Sequence, residues 1–213
     1  KTLDEIRDAG GLYEWLDHVI KPVFLGDTTV LKKKIVMGAG AFLGHATRID
    51  LTVGDAESGK SYLNNITYNT FMPSSHVWLL DSVTESAFIR LAQDNPTIFN
   101  NSIILLGDDG ATANFNDSKA ILNICKSLAT NGTFTKYVSE SSNEGKHDYN
   151  STAIKMEVDS LLVVSENVID KDREHDDQIS SRAVITSPPN DIRQEDMSNL
   201  IFNQYDPAST YQQ

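Results

Sequence analysis

The residues Gly54-Asp55-Ala56-Glu57-Ser58-Gly59-Lys60-Ser61 match the phosphate-binding pattern G-x-x-x-x-G-K-[ST] in full. A strand-like run, 47–53, precedes them, and residues 62–68 can open a helix, so the strand–loop–helix context of the pattern is present. Glycines let backbone N–H groups face a phosphate, Lys60 reaches the β- and γ-phosphate oxygens, and the Ser61 hydroxyl can hold Mg²⁺. The stretch therefore predicts a nucleotide site; a Gly/Ser turn with a solvated lysine is the alternative.

A second informative stretch ends in two acids. Residues 102–106 form a continuous apolar run, typical of a buried parallel strand, and Gly107-Asp108-Asp109 follows it. The carboxyl ends of parallel strands are where α/β sheets bind ligands. We expect Asp108 to hold Mg²⁺ and Asp109 to orient or deprotonate the attacking water. The alternative is an Asp-Asp-Gly turn after a core strand.

Strand-like and helical runs alternate along the chain, which predicts an α/β fold with a mostly parallel sheet. A small-residue run, Gly38-Ala39-Gly40-Ala41, predicts a closely packed helix before the first strand, and the Lys32-Lys33-Lys34 triplet on that segment favours a solvated helix face over a DNA contact. The predicted helices cover residues 3–20, with an interruption at Gly10-Gly11, and 29–44, 84–91 and 117–130. Thr84 is predicted to begin the third helix, and Asp117 or Ser118 can cap the fourth. Further predicted strands cover 76–81, 160–167 and 178–185.

Two β-type runs, 133–138 and 152–158, flank a polar segment and predict a long hairpin. Its tip, 139–151, contains Lys146 and His147. A hydrated loop is the default interpretation of this composition. The more specific hypothesis is that the tip contacts nucleic acid.

The bulk composition narrows the class of protein. The 213-residue chain has a formal net charge of −12, which argues against a surface built for nucleic acid but not against a local basic site. It contains no apolar stretch near eighteen residues, so we expect no membrane span or signal peptide. Because it begins without methionine, we expect a piece of a longer, soluble protein. The single cysteine, Cys125, fits a core thiol in a reducing cytoplasm.

With these pieces in order, the chain resembles AAA+ ATPases, and within them the helicases of the minichromosome-maintenance type and the primase-helicases of mobile elements. The resemblance covers about residues 48–189. Residues 54–61 match Walker A and 103–109 match Walker B, while the hairpin at 134–158 lies where such helicases carry a hairpin before the sensor-1 strand. Asn167, beside Ser165, resembles sensor 1. Ser181-Arg182 resembles the Ser-Arg-Phe motif, whose arginine enters the neighbouring subunit's ATP site.

The resemblance implies a P-loop NTPase fold: a three-layer sandwich with a central, mostly parallel sheet and an inserted β-hairpin. It implies ATP and Mg²⁺ as ligands, Asp109, Asn167 and Arg182 as catalytic residues, and a homo-oligomeric ring, a hexamer in these helicases. Residues 1–46 would be a helical collar or linker, 47–189 the ATPase core, and 190–213 the start of a helical lid or tail. DNA would meet the hairpin at Lys136, Lys146 and His147.

The resemblance therefore implies the ATPase motor of a DNA helicase, in the replication of a phage, plasmid or mobile element. An AAA+ assembly switch or helicase loader acting on a protein partner is the alternative, and a P-loop kinase of a small metabolite is a third hypothesis. Arg182 could instead pair with the acids Asp176-Asp177 at the surface. Two departures from the family pattern predict ATP binding with poor hydrolysis by this chain alone. The strand before Asp108 ends in Gly-Asp-Asp where Asp-Glu is usual, and beyond Pro189 there is little room for a helical lid and its sensor-2 arginine, for which Arg193 is a weak candidate.

Overall fold

A computed structural model of the chain describes residues 2–24, 26–44, 47–54, 58–80, 83–106, 115–140, 150–168 and 183–189, with the backbone alone at 47–48, 115–119, 139–140, 150–151 and 167–168. The α-helices in these ranges are α1 (Thr2–Asp8), α2 (Leu12–Ile20), α3 (Thr29–Phe42), α4 (Lys60–Asn65), α5 (Glu85–Leu91) and α6 (Phe115–Asn131). The strands are β1 (Thr47–Gly54), β2 (Val77–Leu80), β3 (Ser102–Leu106), β4 (Thr133–Glu140), β5 (Asn150–Glu157), β6 (Leu161–Val168) and β7 (Ala183–Thr186).

The central sheet has five strands in the order β2-β3-β6-β1-β7, and every neighbouring pair is parallel. Strand β6 therefore separates β1, which leads into the candidate loop, from β3, which leads towards Asp108 and Asp109. In the register of β1 and β6, Thr52 lies opposite Glu166 and Val53 opposite Asn167. Because all five strands are parallel, their carboxyl ends lie along one edge of the sheet, and both predicted motifs follow strands that end there.

Helices cover both faces of the sheet because alternate residues of its strands are apolar on both sides. On one face, α2, α3 and α4 pack against the strands in a core that includes Ile103, Leu105, Leu162 and Val164. On the other face, α5 and α6 pack against Ile49, Ile104, Leu161 and Val163. The result is the predicted three-layer, P-loop NTPase-like α/β fold.

The predicted hairpin is confirmed as the antiparallel pair β4–β5, which lies between α6 and β6 in the chain. One side of it belongs to the core: Ile154 and Met156 are buried, and Phe134 packs beside them. The other side carries Tyr137, whose residue surface is 71% exposed. The hairpin base is therefore anchored by apolar packing, and its tip, 141–149, lies outside the described residues.

Most of the predictions for helix starts and helix packing are confirmed. The Thr84 hydroxyl accepts a hydrogen bond from the Ala87 backbone N–H (3.2 Å) and caps α5, as its position predicts. Helix α3 is closely packed at Gly38, where an added Cβ would lie 3.0 Å from Met72 Cε. Helix α6 begins at Phe115, before both of the predicted caps, Asp117 and Ser118.

The prediction for the lysine triplet is wrong at two of its three positions. Lys33 is exposed, but Lys32 is 2% exposed and Lys34 is fully buried. Lys32 Nζ lies 2.7 Å from Asp17 Oδ1 and 3.5 Å from the centroid of the Tyr13 ring. The hydrogen bond from Lys32, with a second one from Thr28, lowers the pKa of Asp17. Composition alone cannot reveal such burial, because the acids that compensate these charges lie elsewhere in the sequence.

Candidate phosphate-binding site

Two described glycines, Gly54 and Gly59, flank the loop between β1 and α4. Gly59 has φ of 87°, a left-handed conformation that side chains disfavour, and it directly precedes α4. A Cβ on Gly54 would lie 2.5 Å from the Ser58 hydroxyl oxygen, so a larger residue here would force the Ser58 side chain to move. Lys60, which is buried, donates a hydrogen bond from Nζ to the Gly54 carbonyl oxygen (3.1 Å). Its ammonium group therefore lies beside the first residue of the loop.

The Ser58 hydroxyl is buried and lacks a hydrogen-bond partner among the described residues. A buried hydroxyl without a partner costs free energy, so such a group points to a ligand that completes its hydrogen bonding. Together with the Lys60 ammonium, it gives the described part of this loop a cationic group and an unused donor. That combination fits a phosphate group.

The Ser61 side chain is bound by an acid from a distant part of the chain. The Ser61 hydroxyl donates to Glu166 Oε2 (2.7 Å), and Asn64 Nδ2 donates to Glu166 Oε1 (2.8 Å). Glu166 is 7% exposed and lies on β6, opposite Thr52 of β1. The strand predicted over 160–167 includes Glu166, but no sequence pattern predicted a role for this residue. The parallel pairing of β6 beside β1 is what brings the carboxylate under the loop.

The fully buried Lys34 side chain connects α3 to β1 and α4, the two elements that flank the loop. Lys34 Nζ, from α3, donates to the Asp50 carboxylate, to Thr52 Oγ1 (2.8 Å) and to Asn64 Oδ1 (2.9 Å). Thr52 Oγ1 also donates to Asn64 Oδ1 (3.1 Å). The Asp50 carboxylate is completed by the hydroxyl groups of Tyr68 and Thr186, each at 2.9 Å. Elements α3, β1, α4 and β7 thus meet in one buried polar network.

Burial makes the charged forms of the side chains in this network costly. Burial lowers the pKa of Lys34, while Asp50 and Glu166 oppose that effect by favouring the charged ammonium. Burial, with the nearby Asp50 carboxylate, raises the pKa of Tyr68 well above its ordinary value of 10.0. Tyr68 therefore stays a neutral hydrogen-bond donor to Asp50 through the physiological range.

The described residues include part of the predicted site. Gly54, Ser58, Gly59, Lys60 and Ser61 lie together on the loop and the first turn of α4. The backbone of Asn167 lies on β6 opposite Val53. The predicted site residues that lie outside the described residues are Asp55, Ala56, Glu57, Asp108, Asp109, Lys146, His147 and Arg182, and their roles stay predictions.

Lys136, the described member of the predicted DNA-binding set, is engaged within the chain. Its ammonium group forms an ion pair with Glu85 of α5, and both side chains are partly exposed. Lys155 and Glu157 form a further ion pair on β5. Both lysine ammonium groups in the described part of the hairpin are therefore paired with acids.

The described part of the chain holds no cluster of three or more His, Cys, Asp or Glu side chains arranged to hold a metal ion. Nor does any helix in that part have the length and apolar character needed to cross a bilayer. A magnesium ion here would rest on oxygen ligands of the loop and of its phosphate partner.

Comparisons with known proteins do not assign this chain to a family. No protein-family model matches the sequence, and no curated protein matches it. Among solved structures, the crystal structure of NtrX from Brucella abortus in complex with ATP aligns with a TM-score of 0.44 and 13% sequence identity. The alignment covers 93% of this chain and 45% of that chain, so this chain spans less than half the length of NtrX. A likeness this weak assigns neither fold nor function; the fold follows from the chain's own strand order.

Proposed function

We propose that this chain binds ATP with Mg²⁺ and hydrolyses it, as the nucleotide-binding core of an AAA+ type of protein. The observation that carries the proposal is the loop between β1 and α4. It matches the full Walker A pattern, holds the Lys60 ammonium and has a buried Ser58 hydroxyl without a partner among the described residues. The loop lies at the carboxyl edge of a parallel sheet, where α/β proteins bind ligands.

Each group on the loop has a distinct role in this proposal. Lys60 would exchange its hydrogen bond to the Gly54 carbonyl for phosphate oxygens, and the Ser58 hydroxyl would donate to the same anion. Ser61 would present its hydroxyl oxygen to Mg²⁺, which neutralises charge on the phosphates when bound. Asp108 would support the ion and Asp109 the attacking water.

The finer proposal is a ring-shaped motor that moves DNA. The hairpin β4–β5 lies directly before β6, the strand that carries Asn167, and this placement supports the resemblance to ring helicases. Arg182 would supply positive charge to the ATP site of the neighbouring subunit, an effect worth ~10³–10⁵ in rate in other NTPases. In this proposal, activity requires assembly of the ring, and Lys146 and His147 contact the DNA backbone.

An ATP-driven assembly switch without DNA translocation is the second candidate. The ion pair of Lys136 with Glu85 favours it, because that pair engages one of the basic side chains expected to meet DNA. The net charge of −12 also favours the switch, because an acidic surface repels DNA. Both candidates use the same ATP site and differ only in whether DNA changes turnover.

Nucleotide binding is the first test. The affinity of the full chain for a fluorescent ATP analogue should fall ~10–100-fold in Lys60→Ala, since a hydrogen bond to a charged group is worth ~1.5–3 kcal/mol. The matched control is Lys33→Ala, which removes an exposed lysine of α3 and should leave the affinity unchanged. Equal affinities of wild type and Lys60→Ala would contradict the proposed ATP site.

Steady-state ATP hydrolysis with and without single-stranded DNA then separates motor from switch. The motor predicts DNA-stimulated turnover that is lost in Lys60→Ala and Arg182→Ala, with stimulation alone lost in Lys146→Ala/His147→Ala. Turnover that is indifferent to DNA and to the hairpin variant would contradict the motor and favour the switch.

A further inference from the structure

The carboxylate that contacts the Walker A serine comes from β6. In P-loop proteins this serine hydroxyl holds Mg²⁺, and the acid predicted to support the ion here, Asp108, follows β3 instead. Strand β6 lies between β1 and β3, and its Glu166 is buried with its Oε2 2.7 Å from Ser61 Oγ. Glu166 therefore reaches the loop from the strand next to β1.

This contact fixes the direction of the Ser61 hydroxyl. The Ser61 hydroxyl donates to Glu166 Oε2, so its hydrogen points to Glu166. The oxygen lone pairs then face away from Glu166. Because Ser61 is exposed, a cation from solvent can reach those lone pairs.

The direction of Glu166 is itself fixed by Asn64. Lys34 can only donate, so its bond to Asn64 Oδ1 determines which end of the Asn64 amide carries the oxygen. The Asn64 Nδ2 group must then face Glu166, to which it donates at 2.8 Å. One chain of hydrogen bonds thus runs from the buried ammonium of α3 through Asn64 and Glu166 to Ser61.

We propose that Glu166 is a positioning residue for the divalent cation: it holds the Ser61 hydroxyl so that its oxygen faces Mg²⁺. The proposal rests on the proposed ATP site. It predicts that Glu166 matters for the Mg²⁺-dependent part of nucleotide affinity and not for the part that Lys60 supplies. Residues that orient metal ligands in this way typically contribute ~10–100-fold to metal affinity.

The test compares the affinity for a fluorescent ATP analogue in Mg²⁺ and in EDTA for wild type, Glu166→Gln, Ser61→Ala and the double variant. The glutamine is isosteric, but it cannot accept from both Ser61 and Asn64, because one end of its amide is a donor. We expect Glu166→Gln to weaken binding ~10-fold or more in Mg²⁺ and less than ~2-fold in EDTA. Adding Glu166→Gln to Ser61→Ala should cause no further loss.

Three controls keep the outcomes distinct. Glu157→Gln, which neutralises a partly exposed acid of β5, should change neither affinity. Ser61→Thr keeps the hydroxyl and should retain the Mg²⁺ effect. If Glu166→Gln loses its cooperative thermal transition, Glu166→Asp replaces it, since the shorter acid keeps the charge but cannot reach Ser61 and Asn64 together.

An equal loss in Mg²⁺ and EDTA, an additive loss in the double variant, or an unchanged affinity would each overturn the proposed role of Glu166. These results differ from failure of the ATP site itself. In that case the wild-type chain would bind no nucleotide in either buffer.

Discussion

Lys34 and Asp50 form an ion pair in which both side chains are fully buried. Lys34 belongs to α3, before the sheet begins, and Asp50 belongs to β1, the strand that leads into the Walker A loop. Buried charges are costly unless they are paired and hydrogen-bonded, and here all three ammonium hydrogens have acceptors: Asp50, Thr52 and Asn64. The pair therefore ties α3 to the base of the candidate site.

Replacing Lys34 should be strongly destabilising. Lys34→Met leaves the Asp50 carboxylate buried without its cation, so the free energy of unfolding should fall by ~3–5 kcal/mol in urea denaturation. Lys33→Met is the matched control, because Lys33 is its exposed neighbour on the same helix, and it should stay within ~0.5 kcal/mol of wild type. Similar stabilities for the two variants would contradict the buried pair.

The Ser58 hydroxyl should have opposite effects on stability and on binding. Because this buried hydroxyl lacks a partner among the described residues, Ser58→Ala should leave the free chain as stable as wild type, or raise its stability by ~1 kcal/mol. The same change should weaken binding of the ATP analogue, since a donor to phosphate is lost. Ser74→Ala, at an exposed serine, should change neither quantity. A destabilised Ser58→Ala with normal affinity would contradict this role.

The hairpin should depend on its buried face for stability. Met156 is fully buried in the core, so Met156→Ala should lower the free energy of unfolding by ~2–5 kcal/mol. Tyr137→Ala, on the opposite face of the hairpin, should stay within ~0.5 kcal/mol of wild type because Tyr137 is 71% exposed. Thermal or urea unfolding measures both, and equal losses would mean that the hairpin does not pack as described.

Cys125 should make the protein less stable at alkaline pH. Burial raises the pKa of its thiol from 9.0 to about 12. Between these values the thiol loses its proton in the unfolded chain but keeps it in the folded one, so stability falls as pH rises, by up to ~1.4 kcal/mol per pH unit. Below pH 9 the thiol is protonated in both states and has no such effect.

Urea unfolding of wild type and Cys125→Ala from pH 8 to pH 11 tests this. The variant loses some packing at every pH, so the comparison is between slopes and not absolute stabilities. Tyr68, whose pKa is also raised, lowers stability at high pH in both proteins and cancels in the difference. Parallel curves above pH 9 would contradict the raised pKa of Cys125.

Much of the fold was predictable from local patterns. The apolar run at 102–106 became β3, the alternation at 133–138 and 152–158 became the hairpin, and Thr84 caps α5 where its position indicated. These predictions succeed because strand periodicity, capping and turn chemistry depend on residues a few positions apart. The prediction for the lysine triplet was wrong because the burial of Lys32 and Lys34 depends on acids that are distant in the sequence, Asp17 of α2 and Asp50 of β1.

The sequence by itself determined which groups the loop carries, because the whole G-x-x-x-x-G-K-[ST] pattern lies within eight consecutive residues. It also determined the alternation of strands and helices that makes a parallel sheet. Only the tertiary structure decided that Glu166 contacts Ser61, 105 residues away in the chain, and that Lys34 lies beneath the loop. Such contacts depend on strand order and on the placement of β6 beside β1, which no local pattern encodes.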